Sequence, residues 1–303
     1  MPDMRGWPEG FYTDLVTPFR NGAVDLAGFA KLLQMQRDQG VTGVVVAGLA
    51  GEATSLTQAE RSDLVSMAIS CVGREVRVIA GVGTHCTRSS IEQAQQAEAL
   101  GAHALLVVLP YYSKPTMQGV AAHIAAIRDA VRLPILVADA PARTGIRASH
   151  DLLAALSRMP GIAGLVDYGA DLGRLAEHRH TEVSPLPHLC GNDLAGLPFA
   201  ASGGVGAVSL AGNVAPRLVV SRHHALCRSN PHAAVSLNQK LLPLCLALER
   251  EHSIVATKFA LSRRLGISPE VRLPLVSLEP EAERALLCAL QDLDDLALRR
   301  RVA

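Results

Sequence analysis

The chain has 303 residues, of which 49% are hydrophobic and 19% charged, enough apolar material to bury one or two sizeable cores and to exclude disorder. Its 29 basic and 28 acidic residues leave a formal charge of +1, so no global field exists to hold a phosphate backbone or an anionic bilayer, and neither nucleic acid nor membrane is an expected partner. No apolar run reaches the ~18 residues of a spanning helix, and Met1 to Gly10 is polar and turn-rich, so the expected location is cytoplasmic. The six cysteines form no C-x-x-C pair and read as reduced thiols, and only four lysines occur: Lys31, Lys114, Lys240 and Lys258.

Short apolar runs alternate with stretches of helical periodicity, the pattern of a parallel sheet covered by helices. Phe11 to Thr17 forms the first run and is closed by Pro18; Asp25 then precedes Leu26, Phe29, Ala30 and Leu33 at one-faced helical spacing, with Gly40 as the stop. Val44 to Gly48 leads to Thr57 and Glu60, spaced as a capping box. Arg77 to Gly81 leads to Ser89 and Glu92, which predict a second box. Further runs at Ala104 to Leu109, Pro134 to Asp139, Ile162 to Asp167, Pro187 to Gly191 and Gly206 to Leu210 bring the count to eight. Eight short strands about 20 to 30 residues apart suit a closed (β/α)8 TIM barrel better than an open sheet. After Asn213 only helices are expected, around Leu218 to Cys227, Ala234 to Arg250, Ile254 to Leu265 and Pro280 to Arg300. The predicted organisation is a barrel over 1–216 and a helical extension over 217–303 packed on it.

Chemistry in such barrels sits just beyond the strands' C-terminal ends. There the chain carries Val16-Thr17-Pro18-Phe19, Gly48-Leu49-Ala50-Gly51-Glu52, Pro110-Tyr111-Tyr112-Ser113-Lys114-Pro115 and Ala140-Pro141-Ala142-Arg143-Thr144-Gly145. Cys190-Gly191-Asn192-Asp193, Gly203-Gly204-Val205-Gly206 and Asn213-Val214-Ala215-Pro216 follow. In order and spacing, over nearly the whole chain, these motifs resemble the dihydrodipicolinate synthase and N-acetylneuraminate lyase family.

The resemblance implies a class I aldolase, in which a lysine on the sixth strand forms a Schiff base with a 2-keto acid and the protonated imine serves as an electron sink. That lysine stands in a Gly-Ile-Lys-Glu stretch, where this chain reads Gly164-Leu165-Val166-Asp167, so the position is Val166. The family's proton-relay tyrosine corresponds to Ala138, and the hydroxyl residues of its Gly-Thr-Thr-Gly-Glu loop to Leu49 and Ala50. Retained are Arg143, whose family counterpart orients a substrate carboxylate, and Tyr112, whose counterpart reaches a neighbour's site across a dimer interface. Gly51, Gly191 and Val208 are expected along the substrate wall. The expected assembly is a homodimer or homotetramer, without a cofactor.

Other polar residues stand where the family is usually different. Asp139, Asp167, Tyr168, Tyr112 and His85 are the expected acid–base groups, and His188 lies inside the seventh strand. A carboxylate inside a barrel must be paired, hydrogen-bonded, metal-bound or protonated. Asp14, Asp139 and Asp167, with Glu52 or Asp193, could form a cup for a hard divalent cation. The alternative is that Asp139 and Asp167 pair with Arg143, Arg174 or backbone amides. His178-Arg179-His180 reads as a solvated helix face, and Cys86 and Cys190 flank the mouth without a histidine partner. The sequence leaves three functions open: a divergent enzyme on a small carboxylate-bearing metabolite without Schiff-base chemistry, an inactive paralogue that binds a small acid or partners an active relative, or a lyase using an unexpected lysine such as Lys114.

Overall fold

The computed structural model describes residues 8–181 and 185–302, with 295–302 described by backbone alone. Strand β1 (Gly10–Asp14) is followed by a small antiparallel hairpin, β2 (Phe19–Arg20) and β3 (Ala23–Val24). The remaining strands are β4 (Gly43–Val46), β5 (Arg77–Gly81), β6 (Ala104–Val108), β7 (Ile135–Asp139), β8 (Ile162–Asp167), β9 (His188–Cys190) and β10 (Gly206–Ser209). All but the hairpin pair in parallel in the order β1-β10-β9-β8-β7-β6-β5-β4, and β1 bonds back to β4, so the sheet closes into the expected eight-stranded barrel.

Between the strands run α1 (Leu26–Asp38), α2 (Gln58–Val72), α3 (Thr87–Ala99), α4 (Met117–Asp129), α5 (Pro141–Thr144), α6 (His150–Ser157), α7 (Leu172–Thr181) and α8 (Gly196–Ala201). Helices α9 (Pro216–Cys227), α10 (Pro231–Glu249), α11 (Ser253–Leu265) and α12 (Pro280–Val302) complete the chain. Local chemistry sets these boundaries. The Asp25 carboxylate caps α1 through the Gly28 amide at 2.9 Å, and Thr57 with Glu60 makes the reciprocal box on α2. The second box does not form: Thr84 accepts the Cys86 amide through its hydroxyl at 3.0 Å, the chain turns early, and α3 starts at Thr87. Ser90 is thereby drawn inward, where its hydroxyl accepts the Thr84 amide at 2.9 Å.

The alternation of side chains along each strand sorts the barrel wall into two apolar layers. Tyr12, Val45, Ile79, Leu106, Leu136, Ala138, Val166, Leu189 and Val208 fill the lumen. Phe11, Val44, Val78, Leu105, Val137 and Leu165 point the other way, into the shell shared with the helices. The lumen is thus a packed core rather than a channel, and the mouth lies above it. Helix α7 packs more closely than its sequence suggests: His178 is buried rather than solvated, its Nε2 accepting the Leu186 amide at 2.9 Å and its ring 5.2 Å from that of His188. Arg179 and His180 are exposed. Among the described residues no helix is long and apolar enough to cross a membrane.

Candidate active site

The C-terminal ends of the strands open onto a mouth with two lobes, of about 270 and 320 Å³, room for a small metabolite. Leu49, Arg143 and Ile254 border both lobes, so the helical extension supplies part of the wall through α11. The first lobe reaches Glu52, Tyr111 and Arg272; the second reaches Asp14, Tyr168, Gly191 and Asn192.

Asp14 ends β1 two residues after the lumen residue Tyr12, and the strand period therefore turns its carboxylate inward. Its Oδ2 accepts hydrogen bonds from the Ala50 amide and the Tyr168 hydroxyl, both at 3.2 Å, while Oδ1 is buried without a hydrogen-bond partner. A side chain at position 48 would bring a Cβ within 2.5 Å of Oδ1, so glycine there is a space requirement. Burial pushes the Asp14 carboxyl up to about 7, although the Ala50 amide, the Tyr168 hydroxyl and the Arg143 charge each pull it down. Tyr168 is raised well above 10, first by burial and then by the facing carboxylate. The same tyrosine explains Gly191, where a Cβ would stand 2.7 Å from its ring. Behind Asp14, Asn213 donates to the Asp14 carbonyl at 2.7 Å and accepts the Val16 amide at 3.2 Å, fixing the strand's exit.

Asp139 and Asp167 are not in the mouth, contrary to their expected acid–base role. Each follows a lumen residue, Ala138 and Val166, so each faces the helices instead. There both are fully buried and bound to one guanidinium, with Arg174 Nη1 2.5 Å from Asp139 Oδ2 and Nη2 2.6 Å from Asp167 Oδ2. The proposed cation cup therefore does not assemble: Asp14 points in and the other two point out. Glu52 is held by Lys258 and by the Arg272 amide at 3.1 Å, and Asp193 by Ser209 and the amides of Leu210 and Ala211. Among the described residues no group of three or more His, Cys, Asp or Glu side chains is placed to hold a metal.

The other expected residues are dispersed. His85 is exposed outside both lobes, edge-on to Tyr111 at 5.4 Å between centroids. Tyr112 projects from the rim, 92% exposed, on a left-handed backbone with φ 69°. Val208 is sealed in the lumen, and Gly51 lies behind the loop, where its carbonyl accepts the Thr17 hydroxyl at 2.8 Å. His188 faces α7, its Nδ1 2.8 Å from the Leu186 carbonyl, and burial pushes it down to about 4. Burial pushes the Cys190 thiol up to about 12, which leaves it inert.

Val166 and Ala138 both lie in the lumen, and neither lobe's lining, among the described residues, includes a lysine. Lys258, on α11 rather than at a strand end, is fully buried. Its ammonium lies 2.5 Å from Glu52 Oε1 and 4.1 Å above the Phe19 ring, which carries the Arg272 guanidinium at 4.3 Å. Burial brings Lys258 down to about 8 against the pull of Glu52.

The model of the Dihydrodipicolinate synthetase family matches residues 8–293. A 4-hydroxy-tetrahydrodipicolinate synthase of Methylobacterium radiotolerans is 39% identical over 282 residues, which cover 93% of this chain and 94% of the relative. That of Roseobacter denitrificans is 39% identical over 93% of this chain and 96% of its own. Among solved structures, the 4-hydroxy-tetrahydrodipicolinate synthase of Methylacidiphilum fumariolicum SolV superposes with a TM-score of 0.92 at 31% identity, covering 95% of this chain and 96% of that one. The chloride-inhibited dihydrodipicolinate synthase of Acinetobacter baumannii, complexed with pyruvate, gives 0.91 at 31% identity over 94% and 99% of the two chains.

Proposed function

Because this chain belongs to the Dihydrodipicolinate synthetase family and yet carries an isopropyl group at Val166, we propose that it is a divergent enzyme that acts on a small carboxylate-bearing metabolite by proton transfer, without an imine. The observation that carries this reading is the pairing of Asp14 and Tyr168 in a mouth whose lining holds no amine of lysine. Arg143, at the rim between the lobes, offers a planar fork to the ligand's carboxylate. Asp14, pushed up to about 7, can both accept and return a proton at neutral pH, which suits enolisation or hydration–dehydration beside a carboxylate. Tyr168 donates to Asp14 Oδ2 and keeps the carboxylate aligned.

The reading includes the extension as part of the catalytic unit, since Ile254 and Ser253 of α11 border the mouth across the 216/217 boundary. It also takes the protein as a cytoplasmic homo-oligomer, in which a second copy covers the exposed Tyr112. Light scattering of the native protein against Tyr112→Ala tests the assembly, and an unchanged mass contradicts the covering.

The functional test is a thermal-shift screen of oxo and hydroxy acids, followed by turnover of the acids that stabilise the protein. Asp14→Asn should lower turnover about 100-fold or more, the usual worth of a positioned acid–base group. Full turnover by that variant contradicts the proposal. A non-catalytic acid binder is the second reading, favoured by the sealed position of Asp14 Oδ1 beside Gly48. Saturable binding without turnover of any acid would select it.

A further inference from the structure

Two loops bring the mouth's polar groups together, and besides a half-exposed ion pair of Arg147 with Asp171 they are joined from behind the barrel wall. One runs from Ala140 to Ala148 and carries Arg143; the other is the turn from Asp167 to Asp171 and carries Tyr168. Both begin directly after the outward-facing carboxylates of β7 and β8, and behind the wall both are bound by the same side chain. Arg174 Nη1 meets Asp139 Oδ2 at 2.5 Å and donates to the Ala148 carbonyl at 3.1 Å, while the Ala148 amide donates to Asp139 Oδ1 at 3.3 Å. These contacts pin the far end of the Arg143 loop to the end of β7. Arg174 Nη2 meets Asp167 Oδ2 at 2.6 Å, and the Asp167 carboxylate accepts the Ala170 amide at 2.9 Å and the Asp171 amide at 3.3 Å. The Tyr168 amide in turn donates to the Asp139 carbonyl at 3.0 Å, so the tyrosine hangs from the strand that starts the other loop.

A guanidinium is the side chain whose planar fork can serve two carboxylates and a carbonyl at once; an ammonium is a point charge. We propose that Arg174 is a positioning residue for the mouth: from behind the barrel wall it clamps the Arg143 loop and the Tyr168 turn into one unit, and so keeps the Tyr168 hydroxyl on Asp14. It touches no ligand, and its influence passes through two backbone turns. This rests on the reading of Asp14, Tyr168 and Arg143 as the reactive set.

The experiment compares the native protein with Arg174→Met and Arg174→Lys by alkaline ultraviolet titration, using Tyr168→Phe as the blank that isolates Tyr168 from Tyr12, Tyr111 and Tyr112. The Asp14 carboxyl is followed in parallel by carbon NMR, with Asp14→Asn to assign it. Release of the clamp lets water reach the pair, so Tyr168 should ionise about one pH unit or more lower in Arg174→Met, and Asp14 should drop toward the ordinary carboxylate range. Arg174→Lys, which keeps a charge against one carboxylate, should show a smaller shift in the same direction and decides the matter if the methionine variant does not fold. A lower melting temperature with Tyr168 ionising as in the native protein overturns the proposal, because a purely structural arginine would do just that. An Asp14 that titrates as an ordinary carboxylate in the native protein would refute the catalytic reading, while the movement of Tyr168 would still judge Arg174.

Discussion

The two faces of the wall at β7 and β8 are opposite in chemistry. Inward stand Ala138 and Val166, without a polar atom in either side chain; outward, one residue later on each strand, stand Asp139 and Asp167 locked to Arg174. Strand β1 is the reverse, with Thr13 turned outward to Gln36 at 2.7 Å and Asp14 turned into the mouth. A single step along a strand therefore decides whether a carboxylate faces the mouth or the helices. Both kinds are buried, and what distinguishes them is the partner: a guanidinium for Asp139 and Asp167, a phenol and one amide for Asp14.

The comparison breaks most visibly at Arg174. Removing one member of a buried ion network strands the others, so Arg174→Met should cost about 3–5 kcal/mol in urea unfolding. A loss under about 1 kcal/mol would mean the outward carboxylates are not held as described. Asp14 should show the opposite sign. Its carboxyl is raised in the folded protein, so the fold binds the proton more tightly than the unfolded chain and stability falls as pH rises from about 4 to about 7. Asp14→Asn lacks this dependence and should gain on the native protein across that window, by up to about 4 kcal/mol at 1.36 kcal/mol per pH unit. Parallel stability curves for the two proteins at pH 4, 5.5 and 8 would contradict the inward, desolvated Asp14.

Smaller effects sharpen the picture. Thr57→Ala removes one half of the capping box on α2 and should cost about 1 kcal/mol, without changing any mouth property. The smallest expected effect is none at all: Val166→Lys alone should yield no pyruvate lyase activity, because Ala138 still supplies no phenol to relay protons. Substantial activity from that single change would show the lumen to be more permissive than its packing indicates.

The barrel strands were legible because most are short, largely apolar runs, as in β4, β6 and β7, and three of the late helices, α9, α10 and α12, open on a proline. The β2–β3 hairpin, with two residues on each strand, is too short to leave a periodic signal. At the site, the inward placement of Val166 and Ala138 was readable from the family motifs, and that placement already implied that Asp139 and Asp167 face out. Strand parity was the signal for choosing Asp14 over them, and Arg174 was present as one of the open pairings. The link between Lys258 and Glu52 spans 206 residues and had no local trace. His178 was misread because its neighbours Arg179 and His180 are solvated, whereas the ring itself is turned under the helix.

Borohydride reduction of the protein in the presence of pyruvate, followed by intact mass and peptide mapping, is the most direct measurement. With an isopropyl group in the lumen and the Lys258 ammonium closed off by Glu52, the expected result is an unchanged mass. A reduced adduct on Lys258, Lys114 or any other lysine would contradict a chemistry without an imine.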